Sequence, residues 1–184
     1  MMRVDLFTTI HKAIRADLFD LAREAARCDL RSTEDVDALV AHVERTVGYL
    51  EEHAHHEDNH ILGAVRTVAP ELAASLAQDH RALDVVAIEV ERAAHALATA
   101  GAAERPAAGA QLARLVNHLV AVQLVHMNRE ETEVNDALWG SLGDPELAEI
   151  RGRILGGIPA ERMVEWRALM APALSPVERA AVIG

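Results

Sequence analysis

The chain has 184 residues, half of them apolar but only five aromatic, so a single core would be assembled from Leu, Val, Ile and Ala. Its formal net charge is −11, Lys12 is the only lysine, and no clustered basic face is visible, which argues against a nucleic-acid partner. Cys28 is the only cysteine, which excludes an internal disulfide and a thiolate metal cluster. No secretory layout or membrane-length apolar run is visible either, and the expectation is a soluble cytoplasmic protein.

The abundance of Ala and Leu and the absence of alternating β-branched runs predict an all-α protein. The first helix is expected from about Val4 to Cys28, where Leu6, Ile10, Ile14, Leu18 and Leu21 recur at helical spacing. Ser32 or Thr33, followed by Glu34 and Asp35, reads as the start of a second helix that runs through Val43, Val47 and Leu50 and stops before Pro70. Pro70 and Glu71 suit the first turn of a third helix reaching about Ala100. Thr99–Gly109 reads as a loop, and a fourth helix is expected from about Ala110 to Trp139. Four long helices with short connections favour an up-and-down antiparallel four-helix bundle over residues 1–139. Residues 140–184 then form an extension of short helices, about Pro145–Leu155, Pro159–Met170 and Pro176–Ile183. Their apolar positions, such as Ile150, Ile154, Met163 and Trp166, predict packing against the bundle.

Two copies of a His-x-x-x-Glu step, His53 to Glu57 and His126 to Glu130, carry the chemistry. Positions i and i+4 share a helix face, so each step offers an imidazole and a carboxylate side by side. One such step alone reads as a surface ion pair. Two, with His11 and His80 on the remaining long helices, place a metal-binding side chain on every helix of the bundle. Four imidazoles and two carboxylates suit a dinuclear site, with iron favoured over zinc, manganese or copper. The order is His first and Glu four later, unlike the Glu-x-x-His of carboxylate-rich di-iron bundles.

The stretches IHKAIRADLF around His11, HAHHED around His53, DHRALD around His80 and HMNREE around His126 resemble the hemerythrin-like family, the HHE cation-binding domain. The resemblance covers about residues 4–139. It implies a four-helix bundle enclosing two iron ions with an oxo or hydroxo bridge. Glu57 and Glu130 would be the carboxylate bridges, His11 and His53 would bind one iron, and His80 and His126 the other. The oxygen-carrying members place a further histidine where this chain has Asp84, and an Asp at the fifth position of the last motif where this chain has Glu at the fourth. Each iron would then keep a vacancy.

His60, Asp84 and Glu133 share the helix face of their neighbouring site histidine and are candidates to complete a shell. Tyr49 and Gln123, each one turn before a motif histidine, are expected as supporting groups beside a bound ligand. Arg15 is expected to pair with Glu133 or Asp84. His55 should be solvated, and His42, His95 and His118 lie too far along their helices to share the site. The function expected is binding of oxygen, peroxide or nitric oxide for sensing, scavenging or storage. The rivals are an enzyme that decomposes peroxide or oxidises a substrate, and an iron- or oxygen-responsive regulatory module. No Ser–His–Asp set, phosphate loop or nucleotide fingerprint is present.

Overall fold

A helical period in the apolar residues, with Pro and Gly at the breaks, becomes a bundle of helices without strands among the described residues; the computed structural model describes residues 3–182. Four long helices, α1 (Thr8–Arg27), α2 (Thr33–His60), α4 (Pro70–Thr99) and α5 (Arg105–Arg129), touch in a closed ring, α1 on α2, α2 on α4, α4 on α5 and α5 on α1. The short α3 (Leu62–Val68) follows α2 after a break at Ile61 and packs against α4. Beyond α5 come a π-helical turn (Glu130–Val134), α6 (Asn135–Ser141), α7 (Asp144–Gly157), α8 (Ala160–Met170) and α9 (Pro176–Val182).

Local chemistry sets the helix ends. Asp5 caps α1 from outside, its Oδ1 accepting from the Phe7 and Thr8 amides at 2.8 and 2.9 Å. At the start of α2 the Ser32 hydroxyl accepts from the Asp35 amide at 3.2 Å. Pro70 opens α4, where a missing N–H costs nothing. The expected loop 99–109 is shorter than its composition implied. α5 begins at Arg105 with Pro106 in its first turn, so Gly109 is helical and buried. Gly109 is needed for a close approach rather than for a turn: a Cβ there would sit 2.6 Å from Leu30 Cδ1.

The core divides into two apolar clusters. The larger holds Leu18, Leu39, Val43, Leu97, Leu112, Leu119 and their neighbours. The smaller gathers Phe7, Ile61, Val65, Leu76, Val134, Leu138, Leu147 and Ile150. Along each long helix the site histidine falls between them: His11 after Phe7 and before Ile14, His53 between Leu50 and Ile61, His80 between Leu76 and Ala87, and His126 between Val120 and Val134. A polar layer is thus sandwiched between two dry ones, held there by the burial of apolar surface on both sides.

The C-terminal helices are tied to this frame by specific contacts. The Trp166 indole donates to Glu52 Oε1 at 2.9 Å, and the Arg162 guanidinium lies 4.4 Å from the Tyr49 ring centroid. Lys12 on α1 pairs with Glu178 on α9. Arg3 donates to the Asp144 carboxylate at 2.8 Å and to the Trp139 and Leu142 carbonyls, closing the other end. No described helix is long and apolar enough to cross a membrane.

Candidate metal centre

Each helix of the ring delivers its histidine to one point. His11 Nε2 lies 3.0 Å from His53 Nε2, and His80 Nε2 lies 3.1 Å from His126 Nε2. Two carboxylates stand between these pairs. Glu57 turns Oε1 to His53 at 3.0 Å and to His11 at 3.7 Å, and Oε2 to His80 at 3.6 Å. Glu130 turns Oε2 to His11 at 3.5 Å and Oε1 to His126 and His80 at 3.3 and 3.8 Å. The donors therefore form two groups, His11–His53–Glu57–Glu130 and His80–His126–Glu57–Glu130, within each of which the ligating atoms lie within 4.8 Å of one another. Both carboxylates belong to both groups.

The electrostatics call for a cation. Glu57 and Glu130 are buried, and both Glu57 oxygens and Glu130 Oε2 lack a hydrogen-bond partner. Burying two carboxylates side by side is costly unless positive charge lies between them. Burial pushes both upward, and the Glu57 charge adds to this at Glu130. The imidazoles outweigh these effects and hold both below the usual carboxylate range. Burial alone would lower His11 and His80, but the surrounding carboxylates raise each to about 9. Protons on imidazoles are thus the charge balance of the bare site. A metal ion bound by these donors would displace them.

Behind the histidines stands a second ring of carboxylates. His11 Nδ1 is 3.0 Å from Glu131 Oε1, which also accepts from Arg15 at 2.6 Å. His80 Nδ1 is 2.8 Å from Asp58 Oδ1. His126 Nδ1 faces Asp79 Oδ2 at 3.9 Å, and Asp79 is paired with Arg129. Hydrogen-bonded partners such as Glu131 and Asp58 fix the orientation of a ligating imidazole and raise its basicity, whereas Asp79 acts on His126 by charge alone, since His126 Nδ1 has no hydrogen-bond partner. Sequence reasoning missed all three, although the signal was present. In both motifs the residue directly after the inward Glu is also acidic, and each such residue (Asp58, Glu131) supports the histidine of another helix.

The π turn changes which residues beyond Glu130 face inward. Its wider winding carries one extra residue, so every position beyond Glu130 falls behind the direction an α-helix would give it. Glu131 reaches His11, while Val134 and Asn135 take the inward direction and are buried. The expectations for Glu133 and Arg15 are corrected accordingly. Glu133 is exposed and paired with Arg129 at 3.2 Å, and Arg15 pairs with Glu131.

Of the other candidates, Asp84 is exposed, at the rim of a void of about 20 Å³ that Gln123, His53, His80 and His126 also line. His60 lies against His56, ring centroids 6.1 Å apart, and its Nε2 faces Gly157. Tyr49 is buried against Trp166, ring centroids 4.7 Å apart. His55, His95 and His118 are exposed, and His42 is engaged elsewhere by Asp17 and Glu24. Cys28 is half-buried against the larger cluster.

The family model described as the hemerythrin HHE cation-binding domain matches residues 2–149. No curated protein and no solved structure matches the chain.

Proposed function

The chain belongs to the hemerythrin HHE cation-binding family, and from that premise we propose that it holds two iron ions and binds oxygen, peroxide or nitric oxide at them. The observation that carries this reading is the sharing of Glu57 and Glu130 by two histidine pairs, with Glu57 turning one oxygen to each pair and Glu130 doing the same. A single-metal site has no use for that arrangement. Two adjacent cations need anionic bridges to screen their repulsion, and neutral nitrogens complete each shell. His11 and His53 would hold one ion, His80 and His126 the other.

Bound ions would supply electron transfer and a place for a small ligand. The chain supplies the rest. Asp58 and Glu131 keep His80 and His11 oriented, with Nε2 free to ligate. The apolar clusters above and below lower the local dielectric, which strengthens the electrostatic interactions in the layer. The void beside Gln123 has room for about one water-sized ligand and puts an amide within the same wall. Sensing, scavenging and storage are the roles such a site serves. The oxidising-enzyme alternative gains one specific support, a larger cavity that reaches His53 and Glu57.

Metal analysis of anaerobically purified protein tests the proposal, together with the optical spectrum after air is admitted. About two irons per chain, with charge-transfer bands that shift on adding azide, is the expected result. One zinc per chain and no visible bands would overturn it.

A further inference from the structure

The C-terminal helices do more than lean on the bundle. Between α1, the end of α2 and helices α7, α8 and α9 lies a cavity of about 580 Å³. That volume is in the range of about 300–1,000 Å³ typical of small-molecule sites, and far larger than a diatomic ligand needs. Its inner end is made by His53 and Glu57, and its walls are mostly apolar, with Ile10, Ile61, Ile154, Met163 and Trp166 among them. The Trp166 N–H is satisfied by Glu52, so the indole offers the cavity an apolar ring.

The charges around this cavity have one sign available. Asp5 borders it, but its carboxylate is taken up by the Phe7 and Thr8 amides and the Thr8 hydroxyl. Glu57 is enclosed by the histidines of the centre. Arg151 and Arg167 are both exposed at the cavity and have no carboxylate within salt-bridge distance among the described residues; Arg151 donates only to the Asp5 carbonyl, at 2.8 Å. His56 lies on the same wall with both ring nitrogens buried and without a hydrogen-bond partner.

We propose that this cavity binds a small organic carboxylate with an apolar chain or ring, its carboxylate at Arg151 and Arg167 and its hydrocarbon end directed towards His53. The inference deepens the metal reading and rests on it only for what the hydrocarbon end faces. A guanidinium without a carboxylate partner is a fork for a planar anion. The apolar walls select a hydrophobic body over a sugar or a nucleotide, and His56 offers one further polar contact. The C-terminal helices are then the part of the chain that sets which organic molecule reaches the centre.

Calorimetric titration of the full chain with decanoate, and with decanol as the uncharged analogue, tests the proposal in metal-loaded and chelated protein. Decanoate should bind both forms, at least tenfold more tightly than decanol. Arg167→Gln, at an exposed side chain, should remove most of that preference without changing melting temperature or metal content. Met163→Trp, whose larger side chain narrows the cavity, should weaken binding of both. Absence of decanoate binding, or binding indifferent to Met163→Trp, would overturn the proposal. Binding confined to the metal-loaded form and untouched by Arg167→Gln would also overturn it, since the metals would then be the anion receptor. The metal reading stands or falls separately, on the iron content of the same samples.

Discussion

The two halves of the centre are built from the same donors but not to the same depth. His80 and His126 are each about 7% exposed, one with Asp58 at its back and the other facing Asp79. His11 is fully buried and backed by Glu131, whereas its partner His53 is 13% exposed and has no carboxylate behind it. The cause is visible in the chain. The residue preceding His80 is Asp79, which reaches towards His126; the residue preceding His11 is Ile10, which lines the large cavity instead of reaching towards His53. The His80–His126 half is locked away from the large cavity and borders only the small void beside Gln123, whereas the other half is open to that cavity at His53. On the proposed di-iron reading, this asymmetry would give retention to the His80–His126 half and exchange to the His53 side.

The most disruptive change should be one that ignores the asymmetry. Glu57 serves both halves, so Glu57→Ala should abolish binding of both ions, and metal analysis should find well under one per chain. The melting temperature of the variant should then be unchanged by a chelator, whereas that of the wild type should fall by many degrees. A Glu57→Ala protein retaining two ions would contradict the shared-bridge geometry. Single histidine changes should separate the halves. His126→Ala should lose metal from both positions by loosening the locked half, whereas His53→Ala should keep the His80–His126 ion. About one iron per chain in His53→Ala and none in His126→Ala is the expected pair. Equal losses would erase the distinction between the halves.

That these six side chains would meet was legible in the sequence, because helical spacing converts i and i+4 into one face, and four helices in a ring leave few ways to satisfy inward polar residues. The second ring was legible only as acidic residues following Glu57 and Glu130, and where each would reach was not. Glu131 lies in a π turn that begins at Glu130, and nothing in HMNREETEV distinguishes that winding from an α-helix, so the positions beyond it were misplaced. An α-helical wheel therefore put Glu133 inward, one turn from where the chain needed it. Asp58 failed differently, as an exposed residue whose carboxylate nonetheless reaches across to α4. Helix α5 began earlier than Gly101, Pro106 and Gly109 suggested, since Pro suits a first turn and Gly109 serves a close approach to Leu30 that outweighs its poor helix propensity. The cavity was invisible because it depends on how α7, α8 and α9 lie on the bundle, which no local period encodes.

Substitutions in the second ring should have intermediate effects and sharpen the contrast between halves. Asp58→Asn and Glu131→Gln each remove the charge behind one histidine while keeping its shape. Loss of such a partner typically lowers metal affinity about 10–100-fold. Competition with a chromophoric chelator should place both variants in that range with two ions still bound at saturation. Unchanged affinity in both would mean that these carboxylates balance charge in the bare protein and do nothing for the bound ions.

The smallest effect expected lies outside the centre, at the other titratable cluster in the bundle. His42 is held above its usual pKa chiefly by its hydrogen bond to Asp17; burial opposes this and Glu24 adds to it. Asp17, which burial alone would raise, is held low by His42 and by the Thr46 hydroxyl at 2.6 Å. A histidine with a raised folded-state pKa contributes stability that is fully present below its unfolded value of about 6.5 and is lost as pH rises through the folded value. The depressed Asp17 contributes in the opposite sense, fully present above its unfolded value of about 3.9 and lost as pH falls below it. His42→Gln should therefore cost most between about pH 4 and 6.5 and progressively less in alkali. A charge-assisted hydrogen bond of about 1–2 kcal/mol corresponds to about 2–8 °C in Tm for a chain of this size. Melting curves of the variant and wild type should converge as pH rises. Because His42 sits about three turns from His53, their difference isolates this pair from the pH dependence of the metal centre. A gap that widened towards pH 9 would mean that His42 is neutral in the folded protein and acts through packing alone.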